Sequence, residues 1–157
     1  MISLLDICTA FNKYQIDYLI IGGDAVAFYG VERVSLDYDI WIRNDENTYK
    51  NTIKALYEIG YLENTNKISV GNKNYERWEI LKLYKLNRFE IADEKPLDIL
   101  SHDIKYKKFD NCYKRKKTVV YNDIQLYFIS LRDLRALKKQ ANRDKDLFDL
   151  KHLKGVK

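Results

Sequence analysis

The folds open to this chain are limited above all by residues 18–42, which read YLIIGGDAVAFYGVERVSLDYDIWI. An apolar strand runs into the pair Gly22-Gly23, a segment of small residues follows, and a second apolar strand carries Asp37 and Asp39. Alternation of side chains along a strand places these two carboxylates on one face, about 7 Å apart. Two like charges so close raise each other's pKa unless a cation lies between them. The stretch therefore predicts a strand–helix–strand unit with a site for a divalent cation.

A magnesium ion suits such a pair, because this hard cation prefers carboxylate oxygen and completes its shell with water and phosphates. The glycine pair supports a phosphate ligand, since a strand that passes through glycines directly into a helix lets backbone N–H groups approach an anion. The alternative for the aspartates is a place at a sheet edge, paired with Arg33 or Arg43. The alternative for the glycines is a simple strand-to-helix turn.

Apolar periodicity and capping residues predict alternating helices and strands over most of the chain. The predicted helices cover about residues 4–13, 24–29, 45–60, 130–140 and 144–155, and the predicted strands cover about residues 18–21, 36–42, 78–84, 88–91, 97–100, 118–121 and 124–129. The last two strands form a hairpin around Asn122-Asp123 that closes the sheet. The whole is predicted to be an α/β (α+β) fold, a short mixed sheet flanked by helices with two helices at the C-terminus.

Length and composition indicate the class of protein. The 157 residues suit a single domain, which we place at residues 1–157. The net charge of +5 is compatible with a polyanionic partner. The two cysteines lack metal-ligand spacing, the N-terminus does not read as a secretory signal, and no apolar run is long enough to span a membrane. We therefore expect a cytoplasmic protein with no membrane contact.

A basic run with interleaved aromatic residues, KYKKFDNCYKRKK, occupies residues 105–117. Lysines that contact phosphates and aromatic rings that stack on bases would suit RNA. The alternative is an amphipathic helix, because Tyr106, Phe109 and Tyr113 have the spacing i, i+3 and i+7 of one helical face. This spacing favours packing for the aromatic residues and leaves the lysines as an electrostatic surface.

The stretch GGDAVAFYGVERVSLDYDIWI resembles the signature of polymerase-β-type nucleotidyltransferases, in particular their minimal and abortive-infection-toxin-like branch. The matching positions are Gly22, Gly23, Ala25, Val26, Gly30, Arg33, Asp37 and Asp39. Ser35 stands where that pattern usually has threonine and keeps the hydroxyl. Downstream, KPLDILSHDIKYKKFD resembles the strand of the third carboxylate, with Asp98 as the matching acid. The segment ISLRDLRALKKQANRDKDLFDLKHL resembles the C-terminal helical signature, and its matching positions are Lys138, Arg143, Asp146 and Asp149.

The resemblance implies transfer of a nucleoside monophosphate from an NTP to a hydroxyl. It implies that Asp37, Asp39 and Asp98 hold one or two Mg²⁺ ions, with Asp98 either completing the second metal site or accepting the proton of the attacking hydroxyl. It also implies that Gly22-Gly23 contacts the β- and γ-phosphates, with Ser35 as an additional hydroxyl donor.

The cations near these motifs have two interpretations each. Lys138 either contacts the triphosphate or is a solvated helix lysine beside Lys139. Arg33 either orients the paired aspartates or contacts substrate. Arg143 and Asp146, three residues apart near a helix start, are predicted to form an ordinary ion pair.

The acceptor of the nucleotide has several candidates. The leading hypothesis is an RNA end, such as that of transfer RNA, or a protein hydroxyl, with the protein acting in a toxin–antitoxin or phage-defence pair beside a cognate partner. The second is a catalytically silent module that keeps the fold and serves as the neutralising half of such a pair. The third is transfer to a small molecule, as in antibiotic-modifying relatives.

Overall fold

A computed structural model describes residues 2–62, 67–70, 73–76, 88–91 and 95–157. The helices in these ranges are α1 Leu4–Lys13, α2 Gly22–Phe28, α3 Glu46–Glu58, α4 Phe109–Lys114, α5 Leu131–Ala141 and α6 Asp144–Leu153. The strands are β1 Tyr18–Ile20, β2 Tyr38–Ile42, β3 Lys67–Val70, β4 Lys73–Glu76, β5 Arg88–Ile91, β6 Leu97–Leu100, β7 Lys117–Tyr121 and β8 Ile124–Phe128. The strand predicted at residues 78–84 lies outside the described residues. None of the described helices has the length and apolar character needed to cross a membrane.

The described strands form one mixed sheet of eight strands in the order β4-β3-β5-β6-β2-β1-β8-β7. β2 pairs in parallel with β6 and antiparallel with β1, and β1 pairs in parallel with β8. The predicted mixed-sheet α/β class and the closing hairpin are thereby confirmed. Because β2 lies inside the sheet, the alternative that places Asp39 at a sheet edge is wrong.

Three helices begin at the polar residues that the sequence selects as caps. The Ser3 hydroxyl accepts from the N–H of Asp6, the Asp45 carboxylate from Thr48, and the Ser130 hydroxyl from Asp133. Each cap satisfies a backbone donor that the first turn leaves free, and such a cap is worth about 1 kcal/mol. The helix starts are therefore fixed locally.

The core lies between the sheet and the helices on its faces. Its largest fully buried side chains include Trp41, Tyr18, Phe11, Tyr61 and Leu56. α1 packs against α3 and β8, whereas α2 packs against β2 and α5, and α5 against α6. Burial of these apolar faces is the main term that stabilises the layered arrangement. It places α2, α5 and α6 around the β2–β6 pair.

Two element boundaries differ from the prediction. α2 begins at Gly22 and not at Asp24, so the glycine pair forms the first turn of the helix. β2 begins at Tyr38. The backbone N–H of Tyr38 donates to the Pro96 carbonyl, just before β6, at 2.8 Å, and this is the first hydrogen bond between the two segments. Asp37 therefore precedes the strand, and its carbonyl accepts a hydrogen bond from the Ser35 hydroxyl at 2.8 Å.

The basic run is divided between a turn and α4. Ile104 and Lys107 pair across the turn, and the helix begins only at Phe109. Phe109 packs edge-on against Trp41, and Tyr113 stacks on Phe109, as the amphipathic interpretation predicts. Tyr106 is 92% exposed, so its predicted place on the buried helix face is wrong, because the helix starts three residues after it.

Candidate active site

One pocket collects most of the residues that the sequence analysis selected. It encloses about 220 Å³ between the β2–β6 pair, the start of α2, α5 and the start of α6. The predicted site residues that line it are Gly22, Gly23, Arg33, Asp37, Asp39, Asp98 and Lys138. Ser35 lies just behind the pocket, next to Gly23. Segments from both halves of the chain thus meet at one place.

The acidic side of the pocket consists of Asp37, Asp39 and Asp98. Asp39 and Asp98 lie in register on two adjacent parallel strands, so they share one face of the sheet. Asp98 is 2% exposed. Burial, together with the negative charges of Asp37 and Asp98, raises the pKa of Asp39 to about 6, while Lys138 opposes the shift. Ionisation of Asp39 therefore costs more free energy here than in water, and a cation bound nearby would offset that cost.

The glycine turn lies directly against these acids. Gly22 has φ +62, and a Cβ added there would lie 1.8 Å from Asp39 Oδ2. A Cβ at Gly23 would lie 2.6 Å from Ser35 Oγ. Only glycine permits both the left-handed backbone and the close approach of α2 to the acid on β2. The glycine pair thus sets the distance between the helix and the acidic side of the pocket.

The basic side of the pocket is centred on Lys138, near the end of α5. Lys138 is only 5% exposed, and its Nζ lies 3.2 Å from Asp146 Oδ1 and 2.9 Å from Asp149 Oδ2. The alternative of a solvated helix lysine is therefore wrong. Packing of α5 against α6 buries the ammonium group, and the two carboxylates compensate for its lost hydration.

The two arginines near the pocket also pair with acids of α6. Arg143 donates from Nε to Asp146 at 2.6 Å, which confirms the predicted ion pair. Burial alone would raise the pKa of Asp146, but hydrogen bonds from Arg143 and Lys138 bring it below its usual value. Arg33 forms an ion pair with Asp149. Of the two interpretations of Arg33, the pairing with Asp149 gives no support to the one in which it orients the paired aspartates.

Several further residues belong to this region and were missed by sequence reasoning. Lys145 lines the pocket, and Glu90 lies opposite Asp98 in register on β5. Burial, more than the charge of Asp37, raises the pKa of Asp24, whereas Lys95 at 3.5 Å lowers it. Asp149 matches the C-terminal helical signature, but its pairing with Arg33 and Lys138 was not predicted, although it shares the buried face of α6 with Asp146.

The acids suit a Mg²⁺ ion that shares its shell with a ligand. Within the described ranges, no group of three or more His, Cys, Asp or Glu side chains is arranged to hold a metal ion. Mg²⁺ commonly binds through one or two carboxylates, several waters and substrate phosphates. The raised pKa of Asp39 and its register with Asp98 fit that open kind of site, in which the protein supplies only part of the shell.

No protein-family model and no curated protein sequence matches the chain. Three solved structures resemble it over nearly its whole length. The lincosamide antibiotic adenylyltransferase LnuA, bound to lincomycin, superimposes with a TM-score of 0.63 and 19% identity over 99% of both chains. The chain has a nucleotidyltransferase fold.

Two further structures agree with this fold. A nucleotidyltransferase-like antigenic protein from Paracoccidioides brasiliensis gives a TM-score of 0.59 and 15% identity over 96% of this chain and 72% of its own. A Thermotoga maritima protein assigned to the nucleotidyltransferases gives a TM-score of 0.58 and 16% identity over 95% of this chain and 88% of its own. At these levels of sequence identity the likeness shows the shared fold alone. Membership of the abortive-infection-toxin-like branch stays a prediction.

Proposed function

We propose that the protein transfers a nucleoside monophosphate from a Mg²⁺-bound NTP to an acceptor hydroxyl. One observation supports this most directly: a single pocket is lined both by the three predicted metal-binding carboxylates and by two cations, Lys138 and Arg33. A metal triphosphate carries both charges that such a pocket needs, because its cation suits the acids and its phosphates suit Lys138 and Arg33.

The acidic side has two tasks in this proposal. Asp37 and Asp39 would hold Mg²⁺, and Asp98 would either complete a second metal site or accept the proton of the attacking hydroxyl. The acceptor oxygen bonds to the α-phosphorus, the bond from the α-phosphorus to the bridging oxygen breaks, and pyrophosphate leaves. Bound Mg²⁺ supplies charge stabilisation for the attacking and leaving oxygens.

The opposite side orients the triphosphate. Lys138 and Arg33 neutralise the β- and γ-phosphates, which carry the charge that the leaving pyrophosphate develops. The backbone of Gly22-Gly23 borders the same space, with the Ser35 hydroxyl behind it. Positioning and charge account for most of the catalysis that phosphoryl-type transfer requires from a protein.

We propose RNA, such as transfer RNA, or a protein hydroxyl as the acceptor, in a toxin–antitoxin or phage-defence pair with a cognate partner in the cytoplasm. The net charge of +5 favours a polyanion. Beside the pocket, the turn between Ile104 and Lys107 carries the exposed side chains of Tyr106 and Lys105, and Ile104 itself lines the pocket. A lysine and an exposed ring suit a nucleotide chain.

A small-molecule acceptor is the second candidate. The LnuA structure, an antibiotic adenylyltransferase with lincomycin bound, covers 99% of this chain and is itself covered to 99%. The two chains share one fold over nearly the whole extent of both. A lincosamide is therefore the small molecule to test first.

The test incubates the protein with each labelled NTP, Mg²⁺ and one of three acceptors: total RNA, a cell protein extract or lincomycin. We expect label transfer that a chelator or Asp39→Ala abolishes, and the labelled acceptor decides between the candidates. Equal labelling by wild type and Asp39→Ala would refute the assigned role. Tight capture of a protein partner without any NTP binding would identify the silent module.

A further inference from the structure

One buried acid beside the pocket has no part in the proposed transfer. Asp149 lies in α6, and its side chain is buried. A single oxygen, Oδ2, accepts from Lys138 Nζ at 2.9 Å and also from Arg33 Nη1. Its other oxygen, Oδ1, accepts no hydrogen bond from the residues that the structure describes.

The two cations that meet at Asp149 come from distant parts of the chain. Arg33 lies in the loop between α2 and β2, and Lys138 lies on α5. Both line the pocket, whereas Asp149 does not. Two cations brought to the same place repel each other, and their charges are compatible there because one carboxylate lies between them.

The neighbouring acid cannot replace Asp149. Asp146 is bonded to Lys138 on one side and to Arg143 on the other, and it makes no contact with Arg33. Among the described residues, loss of Asp149 would thus leave Lys138 with Asp146 as a partner but would remove the ion-pair partner of Arg33. The joint placement of Arg33 and Lys138 depends on Asp149.

A buried acid kept for stability would normally have both oxygens satisfied, since an unfilled buried acceptor is costly. Asp133, another buried acid of the chain, meets this expectation: Oδ1 accepts from Lys107 and Arg115, and Oδ2 from Arg115 and Ser130. Asp149 uses one oxygen for both cations, and its other oxygen has no donor in the part of the chain that the structure describes. This difference indicates a role in placing the cations.

We propose that Asp149 is a positioning residue that holds Arg33 and Lys138 together on the phosphate side of the pocket. The inference rests on the proposed function, because it requires a polyphosphate as ligand. Asp149 touches no substrate and acts through the two cations. Their spacing, fixed by a shared oxygen, suits two neighbouring phosphates of one chain.

The experiment measures binding of inorganic triphosphate with Mg²⁺ by calorimetry, so that no base preference enters. The proteins are wild type, Asp149→Asn, Arg33→Gln, the double variant and Asp133→Asn as the matched control. We expect Asp149→Asn to weaken binding roughly tenfold or more, in the range found for residues that orient ligands. Asp133→Asn should lower the melting temperature and leave the triphosphate affinity of the folded protein unchanged.

The double variant separates positioning from general stability. If Asp149 acts through Arg33, the losses of the two single variants do not multiply, and the double variant binds about as weakly as Asp149→Asn alone. Losses that multiply fully would overturn the inference. So would an unchanged affinity of Asp149→Asn. If Asp149→Asn does not fold, Arg33→Gln carries the test, because an affinity equal to wild type would remove Arg33 from the phosphates and overturn the inference.

The proposed function and this inference can fail separately. A wild type that binds triphosphate in the expected pattern but transfers no label supports the positioning role and contradicts the transfer. A wild type that transfers label, with Asp149→Asn equal to it in affinity, contradicts only the positioning role. A wild type that binds no triphosphate contradicts both.

Discussion

Helix α5 has a buried charged cluster at each end, and the two clusters are built differently. In its first turn, Asp133 accepts hydrogen bonds from Ser130, Lys107 and Arg115 through both oxygens. In its last turn, Lys138 lies between Asp146 and Asp149, and one oxygen of Asp149 has no donor among the described residues. The first cluster is fully bonded, and the second is not.

The two clusters also differ in what surrounds them. Burial alone would raise the pKa of Asp133, but hydrogen bonds from Arg115, Lys107 and Ser130 hold it well below its usual value. These bonds join α5 to α4 and to the turn before it, and Asp133 is not among the residues that line the candidate active site. Lys138 instead borders the pocket with the acids of β2 and β6. Complete bonding accompanies a structural task, and incomplete bonding accompanies a candidate site.

The largest expected effect is on stability at the first end of α5. Asp133→Asn leaves Lys107 and Arg115 without their buried anion and should lower the free energy of unfolding by about 3–4 kcal/mol. Because the folded pKa of Asp133 is depressed, wild type has this contribution above the ordinary aspartate pKa of 3.8 and loses it as the pH falls further. Urea unfolding at several pH values measures it. If the free energy of unfolding of Asp133→Asn fell at low pH as steeply as that of wild type, this account would be contradicted.

The next effect concerns Gly22, in the glycine turn that borders the pocket. Gly22→Ala should lower the free energy of unfolding by about 2–3 kcal/mol, since the left-handed backbone is strained and the new Cβ displaces Asp39. Gly30→Ala is the matched control, because Gly30 also has positive φ but nothing lies within 4 Å of the added Cβ. It should cost about 1 kcal/mol. Equal losses in the two variants would show that the contact with Asp39 is unimportant.

Lys138→Gln should reduce label transfer about a hundredfold, because it removes the cation that neutralises the charge developing on the leaving pyrophosphate. Asp133→Asn, compared per folded molecule, should transfer label at the wild-type rate. Initial rates at saturating NTP measure both. A Lys138→Gln enzyme as fast as wild type would make the two ends of α5 equivalent and remove the contrast.

The smallest effect is a pH dependence of the metal-free protein. Asp39 faces Asp37, Asp98, Asp24 and Lys138, and its pKa is raised from 3.8 to about 6. The folded protein therefore holds a proton that the unfolded chain releases in this interval, so the free energy of unfolding falls as the pH rises through it. Asp39→Asn should remove this loss and stabilise the protein at pH 7 by at most about 2 kcal/mol after solvent screening.

Thermal scans with a chelator, at pH 4 and pH 7, compare Asp39→Asn with wild type. The two proteins should differ at pH 7 and converge at pH 4. Added Mg²⁺ should raise the melting temperature of wild type more than that of the variant, because only wild type keeps the acid. A variant less stable than wild type at pH 7 with chelator present would contradict the raised pKa.

The local parts of this molecule could be predicted from the sequence. Caps at Ser3, Asp45 and Ser130, the Asn122-Asp123 turn and the strand–glycine–helix unit depend on neighbouring residues, and the structure has each of them. The mixed sheet followed from the alternation of elements and the late hairpin. Local signals did not fix the start of β2, because it depends on pairing with the chain at Pro96.

The pairing of charges could not be predicted in the same way. Arg33 and Asp149 are 116 positions apart, and nothing in the sequence selects that partner over nearer acids. The register of β5, which brings Glu90 beside Asp98, likewise depends on contacts across the sheet. Tyr106 shares helical spacing with buried aromatic residues, but it lies in a turn, and α4 begins only at Phe109. Distant contacts decided each of these outcomes.

The pocket draws its acids from the first two thirds of the chain and its buried lysine, with that lysine's anionic partners, from the last third. A nascent polypeptide on the ribosome therefore lacks one side of the pocket until α6 has emerged and packed onto α5. The charge partners of Lys138 are therefore in place only after α6 has been synthesised and has folded against α5.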